Sequence, residues 1–180
     1  LKKINGEYNI LLAGIGGAGV VTAGAILGMA AHIEAKGTSV LDQTGLSQKN
    51  GAVFGHIKIY PEVESLKPIR IGSQKANLVI GFDMIVAASE VSVNVMKTNQ
   101  TQVVVDKNFV PLARLSESPD MEFDAAQYIN FIIEKVGSNF LKITNATDQI
   151  RDYHGTSTSS NIFMLGYAFQ KGFLPLELSS

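Results

Sequence analysis

Asn9-Ile10-Leu11-Leu12-Ala13-Gly14-Ile15-Gly16-Gly17-Ala18-Gly19-Val20 is the stretch that decides the fold. Its apolar first half reads as a short buried strand over residues 9–13. Its glycine-rich second half reads as a tight turn. From Val20 the sequence is rich in Ala, Leu and Met and reads as a helix over 20–35. Gly14-x-Gly16-x-x-Gly19 is therefore a dinucleotide-type fingerprint in its proper setting, with a strand before it and a helix after it. Glycines let the backbone approach a phosphate, and a helix N-terminus stabilises the anion. Asp42 is placed at the end of the next predicted strand, where an acid would meet a ribose. Gly17 doubles the central glycine. Gly24 and Gly28 share one helical face, so the same residues also read as devices for close packing.

Outward from this stretch, strand and helix alternate. Gly37 is read as the helix C-cap, followed by a strand over 38–41 that ends at Asp42. A polar loop runs over 43–51 and contains Gln48 and Lys49. Residues 53–60 alternate as a half-exposed strand should, with His56 and Lys58 on the polar side. A connection over 61–73 carries Pro61 and Pro68. A strand over 76–80 and a helix over 83–97 follow, with Asp83 as helix cap. Val91, Val93 and Val95 weaken that helix. A strand over 102–106, an irregular stretch over 107–120, a helix over 124–136, a strand over 140–144 and a helix over 159–171 complete the reading. The pattern predicts one α/β domain over 1–180, Rossmann-like, with a mainly parallel twisted sheet and helices on both faces.

Composition narrows the function. The chain has 180 residues, 46% hydrophobic and 17% charged, and a formal net charge of -1. That balance gives no pull toward nucleic acid or anionic membrane. There is no cysteine, so the chain contains no disulfide, no cysteine-bound zinc and no cysteine-held iron–sulfur cluster. The three histidines lack metal-ligand spacing, and no metal is expected. The longest apolar run, 20–31, is too short and glycine-rich to cross a bilayer, and no signal peptide is read at the start. A cytoplasmic setting is expected. The chain opens on Leu1 and closes on Leu178-Ser179-Ser180, so a trimmed subunit or a piece of a longer chain is expected.

Four segments, in order, carry a family resemblance. They are the run from Gly14 through the helix to Glu34; Val40-Leu41-Asp42-Gln43-Thr44-Gly45-Leu46-Ser47-Gln48-Lys49-Asn50-Gly51; the segment from Asn77 to Ser89; and the segment from Asn161 to Gly172. Together they resemble the gamma domain of the 2-oxoacid:ferredoxin oxidoreductases, of the indolepyruvate type. The resemblance implies a component of an enzyme that oxidatively decarboxylates a 2-oxo acid, such as an arylpyruvate, to an acyl-CoA and delivers electrons to ferredoxin. It implies alpha and beta partners that hold thiamine diphosphate, magnesium and 4Fe-4S clusters, with no cofactor held by this chain alone. It also implies that the chain is inactive in isolation, where a homodimer is an open possibility. In the family the glycine turn does not carry nicotinamide. The family's loop has Gly-Gly after the basic residue, whereas here Asn50 takes the first of those places.

The candidate binding residues are thus Gly14, Gly16, Gly17, Gly19, Asp42, Gln48 and Lys49, with no catalytic residue assigned. The competing reading is a self-sufficient NAD- or FAD-binding module with Asp42 on the ribose. His56 reads as a surface or interface histidine, with a phosphate or substrate contact as the functional alternative. The hydroxyl-rich run from Gly155 to Ser160, after His154, reads as a solvated loop, with anion binding through its hydroxyls as the functional alternative.

Overall fold

Alternating apolar residues build the centre of the sheet. In a computed structural model, which describes residues 4–45, 51–63, 68–108 and 124–180, the first strand is β1 (Tyr8–Ile15), buried along its whole length. Its Ile10 and Leu12 point to one face and its Leu11 to the other, so helices must cover both faces. The chain continues through α1 (Val20–Ile33), β2 (Gly37–Thr44), β3 (Ala52–Tyr60), β4 (Leu78–Gly81), α2 (Met84–Ala87), α3 (Glu90–Val95) and β5 (Gln102–Asp106). It ends with α4 (Ala125–Val136), β6 (Leu141–Thr144), α5 (Ala146–His154) and α6 (Ser160–Gln170).

The six strands lie in the order β2-β3-β1-β4-β5-β6. β1, β4, β5 and β6 pair in parallel, while β3 runs antiparallel to both β1 and β2. The expected α/β sheet is present, with this one reversed strand. α1 and α6 cover one face, where Ala23, Leu27, Met164 and Ala168 meet Ile10, Leu12, Ile57 and Ile80. α2, α3 and α4 cover the other, where Met84, Val95 and Ile132 meet Leu11, Val79 and Val103. The C-terminal tail returns to the α1 face. Leu174 and Leu176 join that core, and the Tyr8 hydroxyl donates to the carbonyl of Phe173 at 2.5 Å.

Several expectations change. α1 stops at Ile33, and Ala35 takes a left-handed φ of 55°. Gly37 therefore opens β2 instead of capping the helix, and a methyl there would sit 2.4 Å from the carbonyl oxygen of Glu62. β2 runs on through Asp42 to Thr44. β3 is buried on both faces instead of half-exposed: His56 is 2% and Lys58 5% exposed. The helix expected over 83–97 breaks into α2 and α3. The Ser89 and Ser92 hydroxyls both donate to the carbonyl of Val86, closing the end of α2. α5 has no counterpart in the sequence reading, because its sequence is polar and only Ala146 is buried. Asp83 and Asp124 cap their helices as expected, accepting from the amides of Val86 at 3.0 Å and Ala126 at 2.9 Å.

Two glycines should respond oppositely to a methyl. At Gly81 it would meet the Cβ of Ala87 at 2.5 Å, so Gly81→Ala should cost about 1–3 kcal/mol through overpacking. At Gly166, inside α6, it would meet nothing within 4 Å, so Gly166→Ala should add about 0.5–1 kcal/mol through helix propensity. Urea unfolding of the two variants checks both signs.

Candidate functional site

After β1 the chain turns to the α1 face, and after β4 it turns to the opposite face with α2. β1 and β4 are parallel neighbours. Their carboxyl ends therefore diverge, and such a switch point opens a crevice where α/β proteins bind ligands. A cavity of about 420 Å³ lies there. Gly16, Gly17 and Ala18 form its wall after β1, Phe82 and Asp83 after β4, and Asn108 after β5. Thr147 and Arg151 of α5 close it with Ser157, Thr158 and Ser160 at the start of α6.

The glycine turn has a distinct reason at each position. Gly17 and Gly19 have φ of 89° and 76°, which side chains disfavour. A methyl at Gly19 would also strike the Asn161 amide, which donates to the Gly19 carbonyl at 3.2 Å. A methyl at Gly14 would come within 2.9 Å of Val20 and 3.3 Å of Phe82. Gly16 is different: its φ is ordinary, and a methyl there would meet nothing within 4 Å. Nothing in the described fold demands glycine at Gly16, which borders the crevice.

Opposite the turn, α5 supplies the polar side chains. Thr147 and Arg151 are four apart and so share a helical face. Asn145 makes no side-chain cap for α5. The cap comes from Asp106, at the end of β5 and only 1% exposed. Its carboxylate accepts from the Thr147 amide at 2.9 Å and from the Thr147 hydroxyl, and also from the Asn108 amide at 3.4 Å. Removing that carboxylate would free both crevice walls that it ties. Arg151 is half-exposed and pairs with Asp148 at 3.2 Å, leaving other guanidinium N–H groups for an incoming acceptor.

Of the residues singled out from sequence, Gly16 and Gly17 line the crevice, while Gly14 and Gly19 support the turn from behind. Asp42 is held elsewhere. β3 stands between β1 and β2, so Asp42 lies two strands from β1, roughly 10 Å away at the usual strand spacing. Its Oδ1 sits under α1, 3.2 Å from where a methyl on Gly55 would be and 3.7 Å from one on Gly24. The side chain is still exposed to solvent at this edge strand, and its partial desolvation raises the carboxyl pKa. Gln48 and Lys49 lie outside the described residues, as does Asn50. Among the described residues, no group of three or more acidic or histidine side chains is placed to hold a metal. No described helix is long and apolar enough to cross a membrane.

His56 is a buried linchpin and not a surface residue. Its Nδ1 accepts from the Ile71 amide at 3.3 Å, which leaves the proton on Nε2, 3.1 Å from Gln43 Oε1. It thus ties β2, β3 and the segment before β4 together. Sequence reasoning missed Arg151 and Thr147 because it missed α5. The signal was present: Asp148 in the first turn and Arg151 and His154 in the last match the helix dipole.

The comparisons with known proteins fit this geometry. Residues 9–179 match the family described as pyruvate ferredoxin/flavodoxin oxidoreductase. A curated relative, indolepyruvate oxidoreductase subunit IorB of Methanothermobacter thermautotrophicus, is 27% identical over 174 residues, which is 97% of this chain and 84% of the relative. Among solved structures, the pyruvate oxidoreductase subunit PORC of Thermotoga maritima superposes with a TM-score of 0.63 at 17% identity, covering 95% of this chain and 80% of that one. The 2-oxoglutarate:ferredoxin oxidoreductase of Magnetococcus marinus, solved with 2-oxoglutarate, coenzyme A and succinyl-CoA bound, gives 0.63 at 19% identity, covering 92% of this chain and 24% of that one.

Burial, with the nearby charges of Arg70 and Lys58, lowers the His56 pKa from 6.5 to about 4. The unfolded chain therefore binds the proton more readily. The His56 contribution is complete above about pH 6.5 and is lost as pH falls toward 4. It is at most roughly 3–4 kcal/mol at ~1.4 kcal/mol per pKa unit. Urea unfolding at about pH 7 and about pH 5 should show this loss in the wild type and a smaller one in His56→Gln.

Proposed function

The chain belongs to the pyruvate ferredoxin/flavodoxin oxidoreductase family, and on that premise we propose that it is the gamma component of a 2-oxoacid:ferredoxin oxidoreductase acting on an arylpyruvate such as indolepyruvate. The observation that carries this reading is the family match over nearly the whole chain, residues 9–179. The relative named as an indolepyruvate oxidoreductase subunit supports the choice of substrate.

The chain's own chemistry suits an accessory role. With no cysteine it has no ligands for an iron–sulfur cluster. On this reading the alpha and beta partners hold the clusters, thiamine diphosphate and its magnesium, and they meet ferredoxin. When bound there, thiamine diphosphate supplies the decarboxylation chemistry.

This chain contributes binding. The crevice offers the Arg151 guanidinium, the hydroxyls of Thr147, Ser157, Thr158 and Ser160, and a backbone turn left bare at Gly16. That set fits phosphate oxygens better than a carbon skeleton, since guanidinium and hydroxyl donors make charge-assisted bonds to them. We assign it to the phosphates of coenzyme A, the co-substrate of the assembled enzyme. Gln48 and Lys49 are assigned as further phosphate contacts, with Gly14 and Gly19 shaping the backbone. Asp42 is assigned to holding β2 under α1. The domain spans residues 1–180 and works in the cytoplasm.

Mixed with its thiamine- and cluster-bearing partners, the chain should support coenzyme A-dependent reduction of a viologen dye by indolepyruvate. Alone it should support none; dye reduction by the chain alone, or full activity of the partners without it, would contradict the proposal. Arg151→Ala should raise the KM for coenzyme A roughly tenfold in the assembly, the worth of one charge-assisted contact. Calorimetric titration of the isolated chain with NADH or FAD should give no heat of binding. Tight binding abolished by Asp42→Ala would instead make it a self-sufficient nucleotide module. Sedimentation of the isolated chain decides whether it pairs with a second copy.

A further inference from the structure

A second hollow, of about 380 Å³, lies at the carboxyl ends of β5 and β6. It sits on the other side of α5 from the crevice. Thr147 and Arg151 line the crevice, whereas Gln149 lines this hollow. Two residues of helix carry Gln149 about 200° round from Thr147, so α5 walls the two spaces apart. Ile143, near the end of the edge strand β6, is 44% exposed and forms one apolar side of the hollow. Phe163 and Tyr167 form the other; they are four apart on α6 and share one flank. Lys107, just past β5, brings a cation to the rim.

The lining combines two aromatic rings and an aliphatic side chain with one ammonium, and it includes no carboxylate. Rings of Phe and Tyr attract another aromatic ring in offset or edge-on contact. The Lys107 ammonium stands 3.6 Å from Asp148 Oδ2, and both side chains are partly exposed. A pair of that kind is weak, and Asp148 also serves Arg151 at 3.2 Å. An ammonium has three N–H donors, so Lys107 keeps donors for an incoming acceptor. Gly166, three residues after Phe163, puts no side chain beside that ring, and a methyl there would meet nothing within 4 Å. Glycine weakens a helix interior, and no packing in the described fold requires it at this place.

We propose that this hollow binds an aromatic monocarboxylate. Its ring lies between Ile143 and the Phe163–Tyr167 flank, and its carboxylate meets Lys107 and the Gln149 amide. The volume is adequate, since small-molecule pockets begin at about 300 Å³. A phosphate group is better served by the crevice, where a guanidinium and the hydroxyls of α5 and α6 converge. One ammonium and one amide match a single carboxylate instead. A neutral ring would leave Lys107 unused, and an aliphatic acid would forgo the contact with two rings. An arylpyruvate belongs to the same chemical class, but the assignment goes beyond the gamma reading and stands or falls separately from it.

Indoleacetate is the probe, because the chain has no tryptophan and indole emission belongs to the ligand alone. Fluorescence anisotropy, followed as the chain is titrated in, should give a Kd of about 0.1–1 mM, the range open to so small a ligand. Tryptophol, which keeps the ring and lacks the carboxylate, should bind roughly fivefold more weakly. Lys107→Gln should weaken binding of the acid roughly fivefold. Ile143→Glu should weaken it at least as much, since it sets a carboxylate against the ligand's own. Both positions are exposed, so both variants should melt within a few degrees of the wild type. Arg151→Ala should leave the affinity for the acid unchanged. No binding by the wild type, or equal binding by the wild type, Lys107→Gln and Ile143→Glu, would overturn the proposal and leave the gamma assignment standing. Loss on Arg151→Ala with retention in Lys107→Gln would place the acid in the crevice and overturn the proposal as well.

Discussion

How closely α1 lies on the sheet is the constraint on which the rest depends. Gly24 and Gly28 face Val40, and a methyl on Gly28 would come within 2.9 Å of its Cγ2. Gly55 on β3 leaves room for Val20, Leu12 and the Asp42 carboxylate. Small residues at these places let the helix sink over β1, β3 and β2 together. The turn that feeds α1 must then be tight, which explains the left-handed Gly17 and Gly19. With α1 fixed, α6 can lie beside it, with Asn161 seated against the Gly19 carbonyl. The crevice is the space left where α1 departs to one face and α2 to the other.

Much of this was legible in the sequence, for physical reasons. β1, β4 and β5 are buried on both faces, so their apolar runs carry a strong signal. The glycine turn and its flanking strand and helix are local features, fixed by backbone sterics. The capping roles of Asp83 and Asp124 are local as well. What escaped depends on tertiary context. The alternation in β3 suggested a wet face, yet His56 and Lys58 are buried. The Ile71 amide and Gln43 satisfy the histidine, and Glu7 pairs with Lys58 at 3.5 Å. α5 buries almost nothing, so its apolar pattern is weak. Its stability comes from Asp106, forty residues upstream, and no local reading finds such a cap.

The glycine fingerprint shows the same limit from the other side. Its local pattern matches a dinucleotide site, but the ribose acid depends on which strand lies beside β1. The reversed strand β3 takes that place, and Asp42 is carried away to the sheet's outer edge. One inserted strand thus separates two features that the sequence sets at the familiar spacing. The crevice keeps its glycine turn and gains instead Arg151 and a set of hydroxyls from α5 and α6. A phosphate-bearing ligand remains compatible with it, whereas Asp42 does not stand on the strand beside β1.

If this chain works as one component of a larger thiamine- and cluster-dependent oxidoreductase, the complex recovered with a tagged chain from its own cells under anaerobic conditions should be a stoichiometric assembly containing thiamine diphosphate, iron and acid-labile sulfide, all absent from this chain once it is stripped of its partners. Recovery of the chain alone, free of partners and cofactors while the cell's 2-oxoacid oxidoreductase activity elutes elsewhere, would contradict it.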